Sequence, residues 1–346
     1  MKFIDIFPRH EWDIPTSNLG TFIDPVFKPS FDQKNSSINQ KLYAMPPQIA
    51  PQVQETLDAM TEAGIIKEIT TYSPIISSLL IGKKKSGKPR LLLDSRSLNL
   101  QVQPIPSAIT NSKQIFSFFS GKKKITTLDI SNAYFAVPIK EDKQALFSFF
   151  DTKNRRMGFC RAPQGYKNSA PALERLTATL TEGINETICY VDDIYLASET
   201  DNFDTHLKSL EELFRRIKIA RIKIKPEKLN LCGETLDIIG YIWSNGKFSI
   251  PAAKVSAIRN FATPKNTSGV RSFLATTNYF RAFIFRYAEI SAPLNDLTKK
   301  EFEKSFRWTP EAKKAFDDLK QAIATAIKLS APMLTARSSV LPMPQK

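Results

Sequence analysis

The chain has 346 residues, 42% of them hydrophobic, which is enough to bury a sizeable core and argues against a largely disordered protein. Its 49 Lys and Arg against 34 Asp and Glu leave a formal net charge of +15, which points to a polyanionic partner, most simply nucleic acid, with a membrane surface as runner-up. Three scattered cysteines with no C-x-x-C pair, and only two histidines, argue against a structural zinc site or a disulfide framework and fit a reducing, intracellular setting. No apolar run approaches the ~20 residues of a membrane-spanning helix, and the N-terminus carries no secretory h-region. Neither a P-loop nor a G-x-S-x-G elbow is present, and there is no internal repeat.

Residues 1 to about 50 are punctuated by seven prolines between Pro8 and Pro51 and are expected to run extended over a neighbouring surface. From Pro51 to Gly64, Val53, Leu57 and Met60 recur at helical spacing and predict an amphipathic helix. A β-hairpin is expected over 75–94, with arms Ile75–Ile81 and Arg90–Leu93 and a tip in which five of the eight residues from Lys83 to Arg90 are basic. That tip reads either as a solvated charge run or as a finger that closes on phosphates. A helix over 107–120, with Ile109, Ile115, Phe116 and Phe119 on its apolar face, precedes a β-branched run from Ile125 that ends on Asp129. Ala162-Pro163-Gln164-Gly165-Tyr166 is a loop that feeds a Pro-initiated helix. A helix over 203–217 is expected to bury Phe203, Leu207, Leu210, Phe214 and Ile217. The Ile and Lys/Arg alternation from Ile217 to Lys225 predicts a strand with one basic face, and Leu236–Ile242 a further strand. Asn245-Gly246 is a hairpin turn signal. Helices then fill 252–262, 268–288 and 310–328, separated by Pro264, Pro293 and Pro310.

Tyr190-Val191-Asp192-Asp193 stands out between two β-prone runs, Glu186–Cys189 and Ile194–Ser198. Two adjacent carboxylates at a hairpin tip repel each other unless a cation lies between them, and hard oxygen donors suit Mg²⁺. The competing reading is a solvated Asp-Asp turn. If Asp129 meets Asp192 in space, the two acids could hold two metal ions ~3.5–4 Å apart, the arrangement used for phosphoryl transfer.

These stretches together resemble the reverse transcriptase segment of a retroviral or gypsy-type LTR-retroelement Pol polyprotein, with a foamy-virus-like flavour. Leu128-Asp129-Ile130-Ser131-Asn132-Ala133-Tyr134-Phe135 resembles the first metal-binding motif, Pro163-Gln164-Gly165 the Pro-Gln-Gly motif and Tyr190-Val191-Asp192-Asp193 the Y-x-D-D box. Ile239-Gly240-Tyr241 resembles the primer grip, and Pro264 to Leu294 the thumb and the start of the connection. The match runs in the family's order over roughly residues 40 to 330.

The resemblance implies an α+β, right-hand polymerase: 1–103 an N-terminal segment and fingers, 104–136 the first part of a palm with a small antiparallel sheet, and 137–168 the second part of the fingers. It further implies 169–245 as the rest of the palm, 246–300 as a helical thumb, and 301–346 as a truncated connection. The activity implied is an RNA-directed DNA polymerase that uses two Mg²⁺ ions, with Mn²⁺ as a substitute. Asp129 and Asp192 would be the main ligands, with the Ile130 carbonyl helping and Asp193 as third carboxylate. Lys84 and Arg90 would reach the triphosphate of a dNTP, with Lys83 and Lys85 as alternatives within the lysine run. Asn132, Ala133, Gln164 and Val191 would line the nucleotide, and Tyr134 would exclude a 2′-hydroxyl unless it is a core aromatic. Lys228 would protonate pyrophosphate, unless it is a surface lysine.

Expected partners are RNA and DNA template-primer, dNTPs and other parts of Pol such as RNase H and integrase, in the cytoplasm or a virus-like particle or virion and without membrane contact. The acid-free stretch from Leu319 to Lys346 is expected to exclude an RNase H cluster, so the chain reads as a fragment, subunit or truncated copy. Two departures stand out. Many relatives carry Asp or Gly at Asn132, and Arg161 sits where apolar residues are usual. The rival readings are a catalytically silent nucleic-acid-binding subunit or domesticated remnant, and a metal-dependent nuclease.

Overall fold

The structure is a computed structural model that describes residues 2–31, 41–83, 87–107, 110–199, 203–303, 305–326 and 329–330. In chain order the first elements are helix α1 (Ala50–Glu62), strands β1 (Ile66–Glu68), β2 (Leu79–Lys83) and β3 (Pro89–Leu93), and helices α2 (Arg96–Gln101) and α3 (Ser112–Phe118). Strands β4 (Lys124–Asp129), β5 (Ser148–Phe150) and β6 (Arg156–Phe159) precede helix α4 (Ser169–Thr181). Then come β7 (Thr187–Tyr190), β8 (Asp193–Ser198), helix α5 (Phe203–Ile219), and strands β9 (Asn230–Gly233), β10 (Thr235–Ile238), β11 (Tyr241–Ser244) and β12 (Lys247–Ser249). Helices α6 (Ala252–Arg259), α7 (Thr267–Asn278), α8 (Tyr287–Asp296) and α9 (Pro310–Ala324) and strand β13 (Leu329–Ser330) complete the order.

Two compact units emerge: Met1–Asn111 with Lys124–Cys232, and Ser112–Lys123 with Gly233–Lys346. The first holds a β1-β6-β5 sheet, the β2-β3 hairpin and a four-stranded β7-β8-β4-β9 sheet. In the last of these, β4 runs antiparallel to β8 in a register that sets Asp129 opposite Asp193. Four consecutive β4 residues after Ile125, including Thr126 and Leu128, are buried, as a central strand requires. The loop-rich N-terminus is tied down by bridges of Ile23 to Ile139 and Phe27 to Val102, and its Ile6, Ile14 and Ile23 enter the core. The second unit packs β10-β11-β12-β13 with α3, where Phe116 lies 4.6 Å from the Phe248 ring. Its helices meet through Phe273 and Phe316, 4.4 Å apart. Asn266 and Thr309 cap α7 and α9 by accepting from Gly269 and Ala312 backbone N–H groups.

Several expectations are corrected. The first arm of the 75–94 hairpin pairs in register only from Leu79, because just before it the Ser77 N–H donates to the Ser148 carbonyl at 2.8 Å instead. The helix expected over 107–120 starts at Ser112; Ile109 lies outside the described residues, while Ile115, Phe116 and Phe119 are buried. On α5 the buried face is His206, Leu210, Leu213 and Ile217, whereas Phe203 and Leu207 are exposed. No strand spans Ile217–Lys225. Here α5 continues through Ile219, Arg221 turns at φ 57°, and Ile224 alone bridges, to Ile130. The strand expected over Leu236–Ile242 is two strands, β10 and β11, folded back at Ile239 (φ 42°) and Gly240 (φ 77°). The 268–288 helix breaks after Asn278 at a 3-10 turn, Arg281–Phe283, and left-handed Arg286 starts α8, which contains Pro293 instead of stopping there.

Candidate active site

The β7-β8 hairpin pairs Tyr190 with Asp193, so Val191 and Asp192 form its two-residue turn. Val191 sits at φ 56°, a left-handed conformation that β-branched residues avoid and that marks local strain. Asp193 opens β8 directly across from Asp129 at the end of β4, and the Ile130 N–H donates to the Asp192 carbonyl at 3.1 Å. Chain direction and register thus bring Asp129 together with the adjacent pair Asp192 and Asp193, far along the chain. Past β4, the Asp129 carbonyl accepts from Lys225 N–H at 2.9 Å and Ser131 N–H donates to the Lys223 carbonyl at 2.8 Å. Neither bond uses the Ile130 carbonyl.

The electrostatics are those of a crowded anionic site. Burial, then the Asp192 and Asp129 charges, push Asp193 up to about 6. Burial and Asp129 also raise Asp192. The buried Asp129 carboxylate is gripped by the ammonium groups of Lys225 and Lys228, one on each oxygen. The bond to Asp129 raises the Lys228 pKa. Lys228 is thus an exposed lysine that is ion-paired with Asp129. Among the described residues no group of three or more His, Cys, Asp or Glu side chains is placed so as to hold a metal ion. All-oxygen donors, two carboxylates raised by burial and by neighbouring acids, and a third paired with two ammonium groups nevertheless fit hard divalent cations.

Around the acids stand most of the expected nucleotide contacts. Arg90 on β3 donates from Nε to Gln164 Oε1 at 2.9 Å, and Leu93 N–H bonds the Gln164 carbonyl at 3.0 Å. Gly165 (φ 109°) lies so close to β3 that a Cβ would stand 2.1 Å from the Leu93 carbonyl oxygen, so only glycine fits. Tyr134 is half-buried in the 3-10 turn Ala133–Ala136, where burial and the Asp192 charge raise its hydroxyl and Arg90 opposes them. Ala133 is buried. Asn132 takes φ 45°, which Asn and Gly tolerate, and its amide donates to the Glu11 carbonyl at 3.0 Å. The Asn132 side chain is thus spent on the N-terminal segment. Lys84 and Lys85 lie outside the described residues; Lys83 ends β2.

Sequence reasoning passed over Lys225, whose signal is its place three residues before Lys228 across a 3-10 turn. It also left Arg161 without a role. That guanidinium is 7% exposed and pairs with no carboxylate among the described residues. Instead it donates to the Phe135 (3.2 Å), Gly64 (3.3 Å), Ala63 (3.4 Å) and Ile14 carbonyls, pinning the end of α1 and the N-terminal segment behind the Tyr134 turn. The expected grip residues Ile239, Gly240 and Tyr241 belong to the second unit, at the β10-β11 turn.

Residues 81–243 match the family described as "Reverse transcriptase (RNA-dependent DNA polymerase)". The chain is 24% identical over 301 residues to the Transposon Tf2-3 polyprotein of Schizosaccharomyces pombe, covering 86% of this chain and 22% of that protein. It is 29% identical over 308 residues to the Pol polyprotein of Feline endogenous virus ECE1, covering 85% of this chain and 29% of that one. The chain therefore spans less than a third of the length of these curated relatives. Among solved structures, a foamy viral protease-reverse transcriptase in complex with double-stranded DNA superposes with a TM-score of 0.83 at 24% identity, over 95% of this chain and 56% of that one. The foamy viral protease-reverse transcriptase with an RNA/DNA hybrid gives 0.78 at 23%, over 94% and 43%. Over residues 81–243 the chain is thus similar to the reverse transcriptase domain.

Proposed function

We propose that the chain is an RNA-directed DNA polymerase that adds dNTPs to a primer 3′-hydroxyl on an RNA or DNA template. The observation that carries this is the register that sets Asp129 opposite Asp193, with Asp192 at the adjoining turn, beside the Arg90–Gln164 pair and Tyr134. Two Mg²⁺ ions (or Mn²⁺) held by Asp129, Asp192, Asp193 and the Ile130 carbonyl would lower the pKa of the 3′-hydroxyl and neutralise the departing pyrophosphate. Arg90 and the lysine run around Lys84 would bind the triphosphate, Gln164, Ala133 and Val191 would line the nucleotide, and Tyr134 would stand under the sugar. Lys228 holds its proton tightly while it grips Asp129, so it could protonate pyrophosphate only after leaving that carboxylate.

In this reading 1–103 and 137–168 would be the N-terminal segment and fingers, 104–136 and 169–245 the palm with 239–241 as primer grip, 246–300 the thumb and 301–346 the start of a connection. RNA and DNA template-primer would be the partners, which accords with the +15 charge and with the nucleic-acid complexes of the foamy viral relatives. RNase H and integrase parts would belong to a longer Pol protein acting in the cytoplasm or a particle. Incorporation of dTTP on poly(rA)·oligo(dT) with Mg²⁺ or Mn²⁺ tests the proposal. Salt-sensitive binding without incorporation would favour a silent binding subunit, and nicking without dNTPs a nuclease.

A further inference from the structure

The β10-β11 turn is held in a conformation its first residue disfavours. Ile239, β-branched, sits at φ 42° and Gly240 at φ 77°. Such strain persists only where the surroundings over-determine it. Here three side chains do so. The Tyr279 hydroxyl, just past α7, donates to the Ile239 carbonyl. Lys254 on α6 donates from Nζ to the Gly240 carbonyl at 3.2 Å. Asp237 Oδ1 accepts from the Gly240 N–H at 2.9 Å.

The holders are themselves fastened. The Tyr241 and Tyr279 rings stack at 5.1 Å and 8°, and the Tyr241 hydroxyl donates back to the Tyr279 carbonyl. The Lys254 ammonium lies 5.1 Å from the Tyr279 ring centroid and 5.6 Å from that of Phe280. A Cβ on Gly240 would stand 2.7 Å from Lys254 Nζ and 3.1 Å from the Tyr279 hydroxyl, so a side chain there would push both clamp ends aside. Tyr279 is 46% exposed, so burial is not what keeps its hydroxyl on the turn.

We propose that Tyr279 and Lys254 are positioning residues that clamp both carbonyls of the Ile239–Gly240 turn and so set the primer 3′-end for attack. The inference rests on the reading of this turn as the primer grip. The clamp fastens the turn to α6 and α7, so the primer end is placed by rigid elements instead of a free hairpin tip.

The test uses the full chain, single-turnover extension of an RNA template annealed to a DNA primer, and a 2-aminopurine at the primer 3′-end as a fluorescent reporter of seating. Tyr279→Phe and Lys254→Met each remove one clamp bond and keep the surrounding bulk. Each is expected to slow nucleotide addition about tenfold and to change the 2-aminopurine signal, with dNTP KM within about twofold. Lys254→Arg keeps a donor and is expected to restore most of the rate.

Gly240→Ala, which drives a Cβ into the clamp, tests the grip itself. Wild-type extension by Gly240→Ala would overturn the grip reading and the inference with it. Impairment of Gly240→Ala with unchanged Tyr279→Phe and Lys254→Met would overturn the clamp alone. Equal loss in rate and dNTP KM, tracking a lowered Tm in all three, would also overturn the clamp in favour of a general structural role.

Discussion

Two hairpin turns in this chain solve the same backbone problem in opposite ways. Val191 in the β7-β8 turn and Ile239 in the β10-β11 turn are both β-branched and both left-handed, at φ 56° and 42°. At Ile239–Gly240 the turn is closed by hydrogen bonds from Tyr279 and Lys254 and to Asp237, all within the second unit. At Val191–Asp192 it is charge that is unresolved. Asp192 and Asp193 are held above the ordinary carboxylate range, while Lys225 and Lys228 attend to Asp129. The Ile239–Gly240 turn is satisfied by its neighbours, whereas the raised carboxylates at the Val191–Asp192 turn are what the proposed metal site rests on.

The comparison makes Mg²⁺ the sharpest probe. An ion that binds only the folded acidic turn stabilises the fold by about 2.7 kcal/mol at one hundred times its Kd, a Tm rise of a few degrees for a chain of this size. Calorimetry should show that rise in wild type and in Tyr279→Phe, and should show it abolished in Asp129→Asn. A shift that survives Asp129→Asn would place the ion elsewhere.

Titration of the metal-free protein distinguishes the turns next. A carboxylate raised to about 6 in the folded state from 3.8 binds its proton more tightly folded than unfolded. Its contribution to stability is therefore present below the unfolded value and is lost as pH rises from about 4 through about 6. Asp193→Asn should remove that loss, leaving a flatter Tm profile over this window, whereas Tyr279→Phe should leave it intact.

Lys225→Met tests the stand-in cation. Taking one ammonium from the buried Asp129 should lower the metal-free Tm and tighten apparent Mg²⁺ affinity severalfold, because a competing charge is gone. Unchanged affinity would mean that the lysine does not share the ion's place. The smallest effect is expected at the closed turn. Ile239→Asn creates Asn-Gly, the pair such turns favour, and should raise Tm by about 1–3 °C. A fall would show that the isoleucine packs better than its φ suggests.

What was legible in the sequence was local. The Val53, Leu57 and Met60 stripe of α1, the β4 run to Asp129 and the Asn245-Gly246 turn each carry their own periodicity or turn chemistry. The split at Ile239 was not legible, because the left-handed isoleucine is imposed by Tyr279 and Lys254, distant in sequence. His206 looked polar, yet α5 buries it, since Thr126 and Ser198 hydrogen-bond its two ring nitrogens. At the acidic site the carboxylates announced themselves as adjacent charges. Lys225 reaches them only through the pairing of Asp129 with its backbone, which no alternation of Ile and Lys reveals.

The most direct measurement is gel-resolved extension of a labelled DNA primer on an RNA template with Mg²⁺ and dNTPs, wild type beside Asp192→Asn. The account predicts extension by wild type and a loss of at least about 10³-fold in the variant, since a carboxylate that would hold the ions is removed. Extension by Asp192→Asn at the wild-type rate would contradict the assignment of the β7-β8 turn as the catalytic centre.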